Sequence, residues 1–150
     1  NGTSKPRTMS PTRDVSPFLD LTSRLGRDPF KTQVSCWIPM YSGGSPTGWG
    51  GAMGPSQFIP STWKIFENRI EKITGSTLAD PWNPRDAITA TALYLSDLGA
   101  RTGNESSERN AACKYYSGRS CGVSSAAAGY GNSVMKKIVG VQADIDKLQR

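Results

Sequence analysis

The stretch that decides the fold runs from Gly48 to Trp63 and reads GWGGAMGPSQFIPSTW. Glycines at 48, 50, 51 and 54 stand before Pro55, and Ser56, Gln57 and Phe58 follow just ahead of a helix that begins after Pro60. Glycine lets a backbone approach a ligand closely, and a glutamine side chain offers both a donor and an acceptor to an amide or hydroxyl. Phe58, Trp49 and Trp63 have two readings. They offer flat apolar faces to a sugar ring, or Phe58 and Trp63 fill a core beside a glycine-rich turn. Downstream, Trp63, Phe66, Ile70 and Ile73 recur at helical spacing and Gly75 ends the run.

The same punctuation marks four more helices. A first helix is predicted from Asp14 to Gly26, with Val15, Phe18, Leu19, Thr22 and Leu25 on one face. Residues 27–50 read as loop, carrying Pro29, Pro39 and Pro46. Asn83-Pro84 is a cap followed by proline at the first helical position, with Asp86 in the first turn. That helix extends through Ala87, Ala90, Thr91, Leu95 and Leu98 to Gly99. Another starts near Ser106 or Ser107 and carries Ala111, Ala112 and Tyr115 before Gly118. The last is predicted from about Tyr130 through Val134, Ile138, Val141, Ile145 and Leu148, weakened by Gly140 by about 1 kcal/mol. No alternating strand pattern stands out. The expectation is a mostly α chain, with a polar arm at 1–13 and one domain over 14–150.

Composition narrows the function. The 150 residues are 36 % hydrophobic and 20 % charged, the profile of a globular domain, with no apolar run of membrane-spanning length. Histidine is absent, which excludes Ser-His-Asp and Cys-His triads and any histidine metal site in this chain. No phosphate-cradling glycine motif is present, and no metal or cofactor is expected. The net charge of +6 favours a polyanionic partner. The basic residues are scattered and accompany no nucleic-acid-binding pattern, so nucleic acid is not the expected partner. Cys113 and Cys121 enclose a short loop and are paired here as a structural disulfide. Cys36 is left over, either linked to another chain or segment or held as a buried free thiol.

The motif Gly51-Ala52-Met53-Gly54-Pro55-Ser56-Gln57-Phe58-Ile59-Pro60-Ser61-Thr62-Trp63 resembles the signature of the lytic murein transglycosylases, relatives of goose-type lysozyme. DPWNPRDAI at 80–88, followed by Ala92-Leu93-Tyr94-Leu95, is similar to the family's next helix. AACKYYSG at 111–118 resembles its A-A-x-x-Y-N-A-G element, with Tyr115 in the tyrosine place and Tyr116 where the family has asparagine. Tyr130 to Val134 resembles the start of its closing helix. The resemblance covers residues 48–138 and implies a lysozyme-like helical fold. It also implies cleavage of the β-1,4 bond between N-acetylmuramic acid and N-acetylglucosamine in peptidoglycan, outside the cytoplasm, in the cell envelope or secreted. In that chemistry one glutamic acid protonates the leaving oxygen, the substrate acetamido group stabilises the anomeric carbon, and the muramyl C6 hydroxyl closes a 1,6-anhydro ring. A second carboxylate is not needed. Gln57, Ser56, Met53, Phe58, Tyr115, Tyr116 and Tyr130 are the expected substrate contacts.

The family's glutamate lies on a helix before the GAMG motif, and this chain has no glutamate before Gly51. Glu67 and Glu71, one helical turn apart, are expected to pair with Lys64 or Lys72 or to lie exposed. Neither is assigned the catalytic role. The missing acid and the odd Cys36 are explained together if an N-terminal segment carrying both the glutamate and a cysteine partner is not part of this chain. The alternative is a catalytically inactive peptidoglycan-binding module.

Overall fold

The computed structural model describes residues 8–42 and 45–149. The first seven residues of the expected polar arm lie outside them. The chain divides into two compact units, residues 1–91 and 92–150. The division falls within a helix.

The first unit is built on α1 (Val15–Arg24) and α2 (Pro60–Thr74), which pack together. Residues 8–13 form a turn into α1, with the backbone amides of Asp14 and Val15 donating to the Ser10 carbonyl. Asp14 is the N-cap of α1, yet its buried carboxylate reaches the start of the other helix. It accepts from Ser61 Oγ at 2.8 Å and the Ser61 amide at 3.3 Å, and pairs with Arg13 at 2.7 Å. A negative charge at the N-terminus of α2 is favoured by the unpaired amides there. One acid thus ties the starts of both helices.

The α1 face differs from expectation by one residue. Phe18, Leu21 and Thr22 are buried, and Leu19 is exposed. Either leucine satisfies a helical period, and packing against α2 selects Leu21. On α2, Trp63, Phe66 and Ile70 are buried as predicted, whereas Ile73 is exposed and Thr74 takes the inner position. Gly75 ends the helix in the left-handed conformation, at φ 75°. Phe58 packs edge-on against both Trp63 and Phe66, with ring centroids 5.7 and 6.0 Å apart.

Glu67 corrects a second expectation. It pairs with neither Lys64 nor Lys72 and is not exposed: its Oε1 accepts from Arg24 Nη2 at 2.8 Å, with only 12 % of the side chain accessible. That hydrogen bond raises the Arg24 pKa above its ordinary value. Glu71 Oε1 accepts from the Ala79 amide at 3.2 Å.

Residues 27–50 are not wholly loop. Two three-residue strands, β1 (Met40–Ser42) and β2 (Ser45–Thr47), pair antiparallel with Met40 opposite Thr47. They are too short to display an alternating pattern. α3 (Pro84–Asp97) begins where proline and Asn83 predict, with Asn83 Oδ1 accepting from the Arg85 amide at 2.9 Å. Asp86 is buried, and its two oxygens accept from Ser76 Oγ and the Asp80 amide, both at 3.0 Å.

In the second unit, α4 (Glu105–Ser117) is capped by Asn104, whose side chain accepts from the Ser107 amide, and ends at left-handed Gly118. A disulfide joins Cys113 to Cys121, which opens a short 3-10 turn before α5 (Ser125–Leu148). α5 starts five residues earlier than about Tyr130, because Ser124 caps it by accepting from the Ala127 amide and an alanine run follows. α4 and α5 meet through small residues: Ala111, Ala112, Ala127 and Gly131 are buried. A Cβ on Gly131 would come 2.5 Å from Cys113 Sγ, so only glycine fits beside the disulfide. The apolar series on the rest of α5 is largely outside this core, with Ile138, Val141, Ile145 and Leu148 exposed.

Cys36 is a free cysteine and is exposed, which removes the buried-thiol reading. Replacing both Cys113 and Cys121 by serine is expected to cost about 2–3 kcal/mol in urea unfolding, the loop-closure value for a ring this short. Non-reducing peptide mapping is expected to recover Cys36 unlinked to either. A Cys36–Cys113 or Cys36–Cys121 peptide would contradict this pairing.

Candidate functional site

Backbone pairing shapes the signature loop. The Ser35 amide donates to the Ala52 carbonyl at 2.8 Å, and the Gly51 amide donates to the Ser35 carbonyl at 2.9 Å. Val34 bridges Met53, and Met53 in turn bridges Phe58, its amide donating to the Phe58 carbonyl at 2.8 Å. Residues 54–57 are therefore a tight loop between two paired ends. Both of its corners are left-handed, Gly54 at φ 60° and Gln57 at φ 55°. Gly54 is forced: a Cβ there would sit 1.8 Å from the Pro81 carbonyl oxygen.

Gln57 is the only non-glycine residue with positive φ among the described residues. Such a conformation costs an ordinary L-residue roughly 1–2 kcal/mol, so the surrounding structure must impose it. Its Nε2 donates to the Gly54 carbonyl at 2.7 Å, which fixes the carboxamide across the loop. The exposed side chain lines a groove of about 390 Å³ with Gly54, Pro55, Ala52, Gln33, Val34, Ser35 and Trp82. Gln57→Gly is expected to be more stable than Gln57→Ala by about 1 kcal/mol, because glycine alone relieves the φ strain. Equal urea midpoints for the two variants would mean that the loop relaxes.

The other expected contacts are distributed as follows. Met53 is fully buried and Phe58 is 3 % exposed, so both support the loop from beneath, and Trp63 lies in the core with them. Ser56 Oγ donates to the Ala87 carbonyl and accepts from Thr91 Oγ1, each at 2.9 Å, which fastens the loop to α3. In the second unit, Tyr115 tilts against Tyr94 with centroids 5.2 Å apart. Tyr116 and Tyr130 stack at 4.8 Å and 12° between ring planes, and both are exposed. The tyrosine that replaces the expected asparagine is thus tied to the other expected tyrosine.

Sequence reasoning missed Gln33, Val34, Ser35 and Trp82 as parts of the groove wall. Trp82 lies within the quoted DPWNPRDAI motif, and that was its available signal. The other three enter through backbone pairing across some 18 residues, which no local pattern announces. Among the described residues, no group of three histidine, cysteine, aspartate or glutamate residues is placed to hold a metal ion, and no helix is long and apolar enough to cross a membrane.

The model of a family described as a transglycosylase SLT domain matches residues 41–121. No curated protein and no solved structure matches the chain.

Proposed function

The chain belongs to the transglycosylase SLT domain family, and from that premise we propose that it forms the glycan-holding part of a peptidoglycan-cleaving lytic transglycosylase. The observation that carries this reading is the strained loop of residues 54–57, which holds the Gln57 carboxamide rigidly on a groove of sugar-ring size. Carboxamides match the acetamido and hydroxyl groups of amino sugars, offering one donor and one acceptor in a plane. Met53, Phe58 and Ser56 position that loop. Within the second unit, taken by itself, Tyr115, Tyr116 and Tyr130 are the proposed glycan contacts.

The reaction expected of the complete protein needs one acid. It protonates the departing N-acetylglucosamine O4 as the C1–O4 bond breaks, and the acetamido oxygen bonds to C1. The muramyl C6 oxygen then displaces the acetamido oxygen from C1 and returns its proton to the carboxylate, giving the 1,6-anhydro product. None of the four glutamates suits this role: Glu105 is exposed, and Glu108 Oε1 accepts from the Gly103 amide at 3.0 Å. Glu67 is held by Arg24 between α1 and α2, and Glu71 by the Ala79 amide. We place the acid on a segment outside residues 1–150, with exposed Cys36 available for a link to that segment or to a partner chain. Acting on peptidoglycan implies an extracytoplasmic site of action. By itself this chain binds glycan and does not cut it, which joins the two readings of the sequence.

Gln57→Ala is expected to weaken binding of chitotetraose by roughly 1–3 kcal/mol, the cost of leaving polar partners unpaired. Isothermal titration, with circular dichroism as the control for folding, measures it. Unchanged affinity in a folded variant would move the glycan site elsewhere.

A further inference from the structure

We propose that α5 is the docking face for a second copy of this chain, the two helices lying antiparallel along an apolar seam. The seam consists of Val134, Ile138, Val141, Ile145 and Leu148, which recur at intervals of four, three, four and three. That spacing keeps one stripe of a helix facing another helix. Ile138, Val141, Ile145 and Leu148 are exposed, and none of them belongs to the glycan machinery described above. Apolar side chains gathered on one exposed face mark an interaction surface, whereas single scattered ones do not.

The N-terminal end of α5 is anchored. Gly131 lies against Cys113, Tyr130 stacks on Tyr116, and Asn132 Oδ1 accepts from Arg109 Nε at 2.6 Å. Beyond Asn132 the helix continues through residues 133–148, about 24 Å of further length. A helix that long is marginal in water unless one face packs, and Gly140 weakens it further. The outer part needs a cover, and the same seam on a second copy supplies one. Because the anchored end already sets the helix, little ordering is left for association to impose.

Charge selects the partner and its direction. Lys137 and Asp144 stand seven residues apart and flank the seam on the same side. In an antiparallel pair with Ile138 facing Val141 of the second copy, Ile145 faces Val134, and each Lys137 stands opposite the other copy's Asp144. Sliding one helix by seven residues either way sets Asp144 against Asp144, or Lys137 against Lys137. A parallel pair places both beside glutamines, Gln142 and Gln149. One register alone therefore gains two opposite-charge contacts. Asp144 already accepts from Lys147 through Oδ1 at 3.0 Å, and a second lysine at Oδ2 adds to that pairing. An anionic lipid surface finds less to hold, because Asp144 and Asp146 nearly balance Lys136, Lys137 and Lys147.

Sedimentation equilibrium of the full chain tests this, in a Cys36→Ser background so that no disulfide-linked dimer contributes. So short a seam makes a small interface, and the dimer is expected to depend on concentration. From about 10 µM to about 1 mM the average mass is expected to rise from that of one chain toward that of two. Val141→Glu is expected to hold it at one chain, with near-ultraviolet circular dichroism as the control for folding. Lys137→Glu and Asp144→Lys, each alone, are expected to weaken the dimer about tenfold, and the two together to restore it. A monomer at every concentration would overturn the proposal, and one that co-sediments with phosphatidylglycerol vesicles would give the face to a lipid surface. Single and double charge variants that dimerise alike would overturn the antiparallel pairing. The unaltered seam and the charge variants decide the matter even if Val141→Glu does not fold.

Discussion

Gly54→Ala is expected to lower stability by more than about 4 kcal/mol, or to prevent folding of the first unit altogether. Two costs combine. The position sits at φ 60°, where a side chain is strained, and the new Cβ would lie 1.8 Å from the Pro81 oxygen and 2.7 Å from the Pro81 carbon. Those neighbours are backbone atoms just ahead of α3 and cannot rotate away as a side-chain tip does. Gly75→Ala is the matched control: φ is 75° and nothing lies within 4 Å of its Cβ, so only the conformational cost of roughly 1–2 kcal/mol remains. Urea unfolding of the two variants separates steric exclusion from strain. Equal, small losses would mean that the loop of residues 54–57 does not press against Pro81.

The contrast between these glycines reflects what was legible in the sequence. Gly75, Gly118 and the Asn83-Pro84 pair announce helix ends through local chemistry, and the helices end or begin there. Where a choice depended on a distant partner, local reading could not settle it. Leu19 and Leu21 fit a helical period equally well, and α2 decides between them. Glu67 has lysines nearby in sequence, yet its partner is Arg24, 43 residues away, because burial at the α1–α2 contact makes a nearby guanidinium far more valuable than an exposed ammonium. The Ser124 cap and the alanine run at 126–128 were local and readable, and they lengthen α5.

The candidate site divides in the same way. The signature marked Gln57 from sequence through its likeness to the transglycosylase motif and the donor and acceptor its side chain carries. Its strained φ and its bond to Gly54 emerge only in three dimensions. Met53 and Phe58 share the signature for a packing reason, as the buried base of the loop. Trp82 became part of the groove wall because the Gln33 carbonyl accepts its indole N–H, a contact spanning 49 residues.

The second large effect concerns catalysis, and here the expected result is a near absence of cutting. Without a general acid the departing sugar leaves as an unprotonated alkoxide, and general-acid assistance ordinarily supplies about 10²–10⁴-fold in rate. The acetamido group and the shape of the groove remain, but they act on a bond that receives no proton. Glu67 offers no substitute while Arg24 holds it at 2.8 Å. Glu67→Gln is therefore expected to alter stability and leave the cutting of glycan unchanged.

Mass spectrometry of purified sacculi incubated with residues 1–150 tests the account most directly. The expected result is no 1,6-anhydromuropeptide above the buffer control, with identical traces for wild type, Glu67→Gln and Glu71→Gln, and anhydro product appearing once the chain is joined to a segment that carries the family's glutamate. Abundant anhydro product from residues 1–150 alone, abolished by either glutamine substitution, would contradict it by placing the acid on α2.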